Sequence, residues 1–372
     1  MKFDFVKLGD IATYINGYAF KPSDWSNNGI PIIRIQNLTG NDYENNYFDG
    51  EIDDKYKIKD GDMLISWSAS IGIYEWNGGT AWLNQHIFKV VFDKIEIDKQ
   101  YFKYAVSNAL NKSILMLHGS TMKHFTKNVF DSIPIKIYSN QQQQKIVNVL
   151  EKVEKLIDSR QQQLNLLDEL IKSRFIEMFG EEDYLNDKLK NVSTKITDGT
   201  HQTPIYQKSG IPFVSAKNII DGKLNFDDIK YITNEEYKSI QNRCQIEEND
   251  LLLTKSGSLG MSAIVDINFN FGIFESLAVI KYNRDKLNGL FLREQIKTDK
   301  IQTQLKYGVK GIAIKHLHLN VIGNINIIVP PIELQNKFAA FVEQVEKTKK
   351  SIKKSLDELN LLKNSLMQKY FG

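Results

Sequence analysis

LGDIATYINGYAFKPSDWSNNGIPIIRIQNL, residues Leu8 to Leu38, recurs in outline as LKNVSTKITDGTHQTPIYQKSGIPFVSAKNI, residues Leu189 to Ile219. The shift is 181 positions throughout, and it lays Gly29-Ile30-Pro31 on Gly210-Ile211-Pro212. Further out, GDMLISWSASIG (Gly61 to Gly72) matches NDLLLTKSGSLG (Asn249 to Gly260), Lys123-His124 matches Lys315-His316, and Pro134 matches Pro330. A repeat on this scale fixes architecture before any single residue is read. The chain is two similar domains, residues 1–139 and 181–329.

The end of each half repeats too. QQQQKIVNVLEKVEKLIDSRQQQLNLLDELIKSRFIEMFG ends at Gly180, and ELQNKFAAFVEQVEKTKKSIKKSLDELNLLKNSLMQKYFG ends at Gly372, a shift of 192. Apolar residues step by alternate threes and fours. In the first segment one stripe is Leu150, Ile157, Leu164, Ile171 and Met178, beside Ile146, Val153, Arg160, Leu167 and Arg174. In the second, Phe338, Val345, Ile352, Leu359 and Leu366 run beside Val342, Lys349, Leu356, Lys363 and Tyr370. A period near 3.5 kept over about five heptads is a coiled-coil seam. It predicts two long helices, 140–180 and 330–372, packed on each other and each roughly 60 Å long at 1.5 Å per residue. Ser139-Asn140 and Pro330-Pro331 suit the helix starts, and Gly180 and Gly372 the ends. The polar interruptions Arg160, Arg174, Lys349 and Lys363 either set register or lay their aliphatic stems along the seam edge.

The rest reads as mixed α and β. Short β-rich runs, IPIIRI, DMLISW, HIFKVVF and DSIPIKI, are bounded by Gly, Asn and Asp, with a helical stretch near Gln100 to Leu117 between them. The fold class is α+β. An apolar fraction of 42% and a charged fraction of 25% place the chain among globular proteins rather than disordered ones. One cysteine, Cys244, excludes an internal disulfide and a thiolate zinc cluster. The opening MKFDFVKLGD lacks a signal-peptide core and no apolar run reaches membrane-spanning length, so a cytoplasmic location is expected. The net charge of +3 does not by itself announce a nucleic-acid binder.

Two diverged domains, each ending in a heptad helix, closely resemble the specificity subunit of type I restriction-modification systems. The carrying motifs are Gly29-Ile30-Pro31 with Asn37, Gly210-Ile211-Pro212 with Asn218, the turns Gly61-Asp62-Met63-Leu64 and Asn249-Asp250-Leu251-Leu252, DGTHQTP at Asp198 to Pro204, and PPIELQ at Pro330 to Gln335. The first helix opens with Gln141 to Gln144 instead of a double proline, and the first domain has no DGTHQTP. The resemblance implies two target-recognition domains joined by antiparallel helices. It also implies double-stranded DNA, two methyltransferase subunits and motor-nuclease subunits as partners, with S-adenosylmethionine chemistry at adenine N6 in the methyltransferases and no cofactor on this chain. Two unlike reading heads on a rigid spacer select two different half-sites at fixed separation.

Base reading needs paired donors and acceptors, with cationic and hydroxyl contacts to phosphate. In the first half the candidates are Arg34, Gln36 and Asn37; Trp67, Ser68 and Ser70; and Ser120, Lys123, His124 and Lys127. In the second they are Thr200, His201 and Gln202; Ser215, Lys217 and Asn218; Lys255, Ser256 and Ser258; and Lys310, Lys315 and His316. Each has a bland alternative: Asn37 and Asn218 as turn residues, the Ser/Gly loops as hairpin turns, Trp67 as core, and the Lys-His pairs as helix caps. No phosphate-binding loop, dinucleotide glycine pattern or amino-methyltransferase Asn-Pro-Pro-aromatic motif occurs, and the six histidines form no metal constellation. Catalysis by this chain is unsupported. The rival readings are a coiled-coil protein scaffold without DNA specificity, and the specificity half of a combined methyltransferase-endonuclease.

Overall fold

The computed structural model describes residues 2–40, 46–116, 126–180, 184–307 and 316–372. The chain divides into two compact units, Met1–Arg160 with Ser355–Gly372, and Gln161–Lys354. Each unit takes part of both long helices, which run unbroken over Asn140–Phe179 and Ile332–Phe371.

The first unit holds a four-stranded antiparallel sheet in the order Thr13–Asn16, Ile87–Val91, Met63–Ser66, Gly72–Glu75. A second sheet runs Asn46–Phe48, Ile30–Ile33, Ala81–Leu83, Lys57–Ile58, and Ile32 pairs with Trp82 in parallel. The same plan recurs in the second unit. Its larger sheet is Ser193–Asp198, Leu277–Tyr282, Leu251–Thr254, Ser262–Ile264, and its smaller one is Lys230–Ile232, Ile211–Val214, Gly272–Ile273. The expected runs IPIIRI, DMLISW, HIFKVVF and DSIPIKI all contain strands, and the helix near Gln100 spans Lys99–Met116. IPIIRI ends earlier than its apolar pattern suggests, because Ile35 opens a short helical turn, Ile35–Leu38.

The constant shift of 181 fails at one place. Thr13 pairs with Val91 and Tyr14 with Val90, whereas Lys195 pairs with Lys281 and Ile196 with Ile280, after a register break between Ser193 and Lys195. That bulge adds one residue to the second unit's strand. Asn16-Gly17 therefore corresponds to Asp198-Gly199, one position off the uninterrupted alignment. Both glycines lie where a Cβ would stand 2.1 Å from a backbone carbonyl oxygen, of Asn84 in one unit and Ile273 in the other. Only glycine admits so close an approach.

Two long helices need partners for their stripes, and each unit supplies the pairing. In the first, Ile146, Val147 and Leu150 share a core with Tyr370 and Phe371, with Leu366 and Met367 packed against it. In the second, Ile171, Phe175 and Phe179 share a core with Phe338, Val342 and Val345. The start of one helix thus meets the end of the other, and the pairing is antiparallel. Leu164 is buried, while Ile157, Ile352 and Leu359 are half-buried along the seam. The interrupting lysines bond across the pair. Lys363 Nζ lies 2.7 Å from Glu154 and Lys349 Nζ 2.6 Å from Asp168. Asp168 is two heptads beyond Glu154 and Lys349 two heptads before Lys363, so both ion pairs report one register. Arg174 instead pairs with Glu177 on its own helix, its guanidinium 6.0 Å from the Phe341 ring centre.

The tight loop after Met63–Ser66 holds one residue of cost. Ala69 has φ 56°, and its counterpart Gly257 has φ 73°. In both units a hydroxyl before the loop donates across it, Ser66 to the Ser70 carbonyl and Thr254 to the Ser258 carbonyl. The left-handed conformation penalises a Cβ by about 1–2 kcal/mol. Ala69→Gly is therefore expected to stabilise the first unit by up to about 1 kcal/mol once glycine's extra unfolded entropy is subtracted, and Gly257→Ala to destabilise the second by a similar amount. Opposite shifts in the denaturant midpoints check both.

Candidate nucleic-acid interface

Most motifs that recur in both halves prove to be framework. Asp62 accepts the Lys59 amide at 3.0 Å and lies 3.2 Å from Lys89 Nζ. Asp250 accepts the Glu247 amide at 2.8 Å and lies 2.6 Å from Lys281 Nζ. The turn before each central strand is pinned the same way. Gly61 and Asn249, preceding these aspartates, both have positive φ.

Asn37 and Asn218 each close a turn of this frame. The Asn37 side-chain oxygen accepts the Arg34 amide at 2.9 Å, and that of Asn218 the Ser215 amide at 2.9 Å. Asn218 is buried and also donates to the Asn225 carbonyl. An Asx oxygen that accepts the amide three residues before it holds the turn's geometry. Ser215 donates its hydroxyl to Asn218 as well.

Trp67 and Lys255 also turn inward, for one shared reason. Each follows a central strand, and each donates to the residue that ends the sheet's edge strand, one strand further across. The Trp67 indole nitrogen reaches Asn16 Oδ1 at 3.1 Å, and Lys255 Nζ reaches the Asp198 carboxylate. Trp67 further stacks on Phe88, and Lys255 is 2% exposed. The neutral bond of one unit is thus an ion pair in the other. Asp198 also takes Arg243 at 2.7 Å. Burial pushes the Asp198 carboxyl up, but the bonds and charges of Arg243 and Lys255 outweigh it and hold the group below its ordinary value.

His201, which Asp198 and Glu275 flank at 3.3 and 2.7 Å, is exposed beside Gln202. Thr200 mainly shapes this loop, its hydroxyl accepting the Gln202 amide. Ser256 is bridged to His316, and the Leu317 amide donates to the Lys255 carbonyl. Burial, then the Lys255 charge, lower the His316 pKa from 6.5, so its ring is neutral at pH 7 and offers hydrogen bonds rather than charge. Ser258 and Lys217 are exposed, Lys217 paired with Asp228 at 3.1 Å. Lys127 forms an i,i+4 pair with Asp131 and lies over the Tyr14 and Phe88 rings. Ser120, Lys123, His124, Lys310 and Lys315 lie outside the described residues.

In the first unit the structure does bring candidates together. Arg34, Gln36, Ser68 and Ser70 line one open concavity of about 490 Å³, with Trp25 and Gln85. Sequence reasoning missed Trp25 and Gln85. Gln85 sits one residue before His86 at the loop end of Ile87–Val91, which the strand pattern could have flagged. It also missed Gln143 and Gln335, both buried. Gln143 accepts the Asp98 amide and donates to the Tyr138 carbonyl, and Gln335 does the same with Asn288 and Pro330. Each falls three residues before a stripe position, Ile146 or Phe338, a placement that signals an inward glutamine.

Among the described residues no group of three or more His, Cys, Asp or Glu could hold a metal ion, and no helix is long and apolar enough to cross a membrane. Burial pushes the Cys244 thiol up to about 11. The thiol is held in its unreactive protonated form.

The family described as type I restriction modification DNA specificity domain matches twice, over residues 1–169 and 181–361. The chain is 24% identical to the type I restriction enzyme EcoBI specificity subunit of Escherichia coli, over 98% of this chain and 85% of that one. It is 26% identical to the MjaIX specificity subunit of Methanocaldococcus jannaschii, over 83% and 76%. Among solved structures, the type I restriction-modification S subunit from M. genitalium superposes with a TM-score of 0.57 at 14% identity, covering 100% of this chain and 96% of that one. A chain solved in work on complex assembly and conformational transition of the type I system superposes at 0.59 with 15% identity, covering 99% and 97%. With two matches spanning most of its length and a fold shared end to end, the chain belongs to the type I restriction-modification DNA specificity family.

Proposed function

We propose that the chain is the DNA-sequence-reading subunit of a type I restriction-modification complex, recognising a split target whose two half-sites differ. One observation carries the reading: both units build one framework with bonds at equivalent places, yet present different polar groups on it, Arg34 and Gln36 in one and His201, Gln202 and Lys217 in the other. A shared frame with unlike exposed groups is the physical requirement for two different half-sites. In this reading the chain contributes recognition and no catalysis. Two methyltransferase subunits bring S-adenosylmethionine and modify adenine N6, and motor-nuclease subunits join them.

The test is to express the chain with its methyltransferase and map modified adenines across a genome. A two-part motif is expected, and exchanging residues 181–329 for another such domain should change one half only. Retention on DNA should also fall steeply with salt, because cationic phosphate contacts release counterions. Methylation without any sequence motif, or salt-independent retention, would favour a protein scaffold instead.

A further inference from the structure

Domains that share a framework but read different half-sites must read with what they do not share. The internal duplication therefore acts as a control. Asn37 with Asn218, Trp67 with Lys255, Ser66 with Thr254 and Asp62 with Asp250 make equivalent bonds in both units, and they drop out as readers. What remains is the side chain presented at a common place on that frame. The residue whose amide the turn asparagine holds is Arg34 in the first unit and Ser215 in the second.

Arg34 is set up for planar recognition. Its guanidinium carbon lies 4.3 Å from the centre of the Trp25 ring, within cation–π range of the indole. Among the described residues its contacts are the amide bond to Asn37 and the Trp25 ring, neither of them a carboxylate, so its edge donors remain for an outside acceptor. Burial lowers its pKa somewhat, in keeping with a guanidinium withdrawn from bulk water. It lines the 490 Å³ concavity beside Gln36, whose amide offers the donor-acceptor pair that suits a base edge. A fork recessed among amides and hydroxyls, with an indole against it, matches the two parallel acceptors O6 and N7 of guanine in the major groove.

Resting on the DNA-reading function above, we propose that Arg34, packed against Trp25, reads a guanine in the half-site of the first domain. The second domain, with Ser215 at the same place, makes no such contact, so this position demands guanine in one half-site only.

The experiment selects duplexes from pools randomised in one half-site at a time, using the full chain in complex with its methyltransferase. The wild type should require a guanine at one position of the half-site left unchanged by the 181–329 exchange. Arg34→Lys keeps the charge but loses the fork, and should relax that position roughly ten- to a hundred-fold while leaving the other half-site intact. The intact half-site serves as the folding control. Trp25→Ala should relax the same position less, since the fork survives without its platform. Unaltered guanine preference in Arg34→Lys, or an equal loss on every duplex in Arg34→Ala, would overturn the assignment, the latter marking a phosphate contact. Wild-type complex with no sequence preference at all would instead overturn the DNA-reading function itself.

Discussion

Replacing Asp198 by alanine is expected to destabilise the second unit by about 3–5 kcal/mol, because it strands a buried ammonium. Lys255 is 2% exposed and Asp198 supplies its carboxylate, with Arg243 on the other oxygen. Asp198→Asn keeps the shape but not the charge and should cost nearly as much. Adding Lys255→Met should recover part of that loss, since removing both charges leaves no unpaired one. The first unit is a natural precedent, bonding neutral Asn16 to neutral Trp67 in the same place. The four tryptophans, Trp25, Trp67, Trp76 and Trp82, all lie in the first unit. Circular dichroism should therefore show a shifted transition while tryptophan fluorescence holds, and an unshifted dichroism curve would refute the expectation. The pH dependence has a definite sign. A carboxyl held below its ordinary 3.8 stabilises the fold above that value and loses this contribution as pH falls through the folded-state pKa.

Phe338→Ala is expected to cost a similar amount, about 3–5 kcal/mol, by opening a cavity in the second unit's core. Phe338 is fully buried, and its ring lies 5.5 Å from Phe175, 5.6 Å from Phe179 and 6.4 Å from Phe291, centre to centre. Those contacts tie both long helices to the helix Gly289–Lys297 at one point. Leu359→Ala, at a half-buried position of the same stripe, should cost clearly less. Equal losses in chemical unfolding of the two variants would show that the seam, rather than this aromatic cluster, governs stability.

The duplication and the helices were readable from the residues because both depend on periodicity. A seven-residue apolar repeat over about five heptads suits a long helix packed on another helix and little else, and Gly-Ile-Pro recurs at strands that do form. Side-chain direction was not readable. Asn37, Trp67 and Lys255 carry hydrogen-bonding groups just past strand ends, the usual profile of a reader, and only the fold shows them bonded inward. Recurrence in both halves pointed to function, whereas here it marks the shared frame. The one-residue slip at Asp198 came from a bulge, which leaves no mark in an ungapped comparison. That Trp25 packs on Arg34 was not readable, because the contact depends on how the turn after Ile30–Ile33 folds back.

The end of the second long helix completes the core of the domain that begins the chain. Tyr370 and Phe371 are buried with Tyr101 and Tyr138, the Tyr138 hydroxyl donates to the Tyr370 carbonyl, and Lys136 Nζ donates to the Gly372 carbonyl. On the ribosome, a part made early must therefore wait for one made much later. Residues 161–354 can close into their own unit as a continuous stretch, while the amino-terminal domain stays an unsealed shell until residues 355–372 have emerged. Birth order and completion order are reversed, and any premature termination in the closing helix strikes the domain farthest from it in sequence.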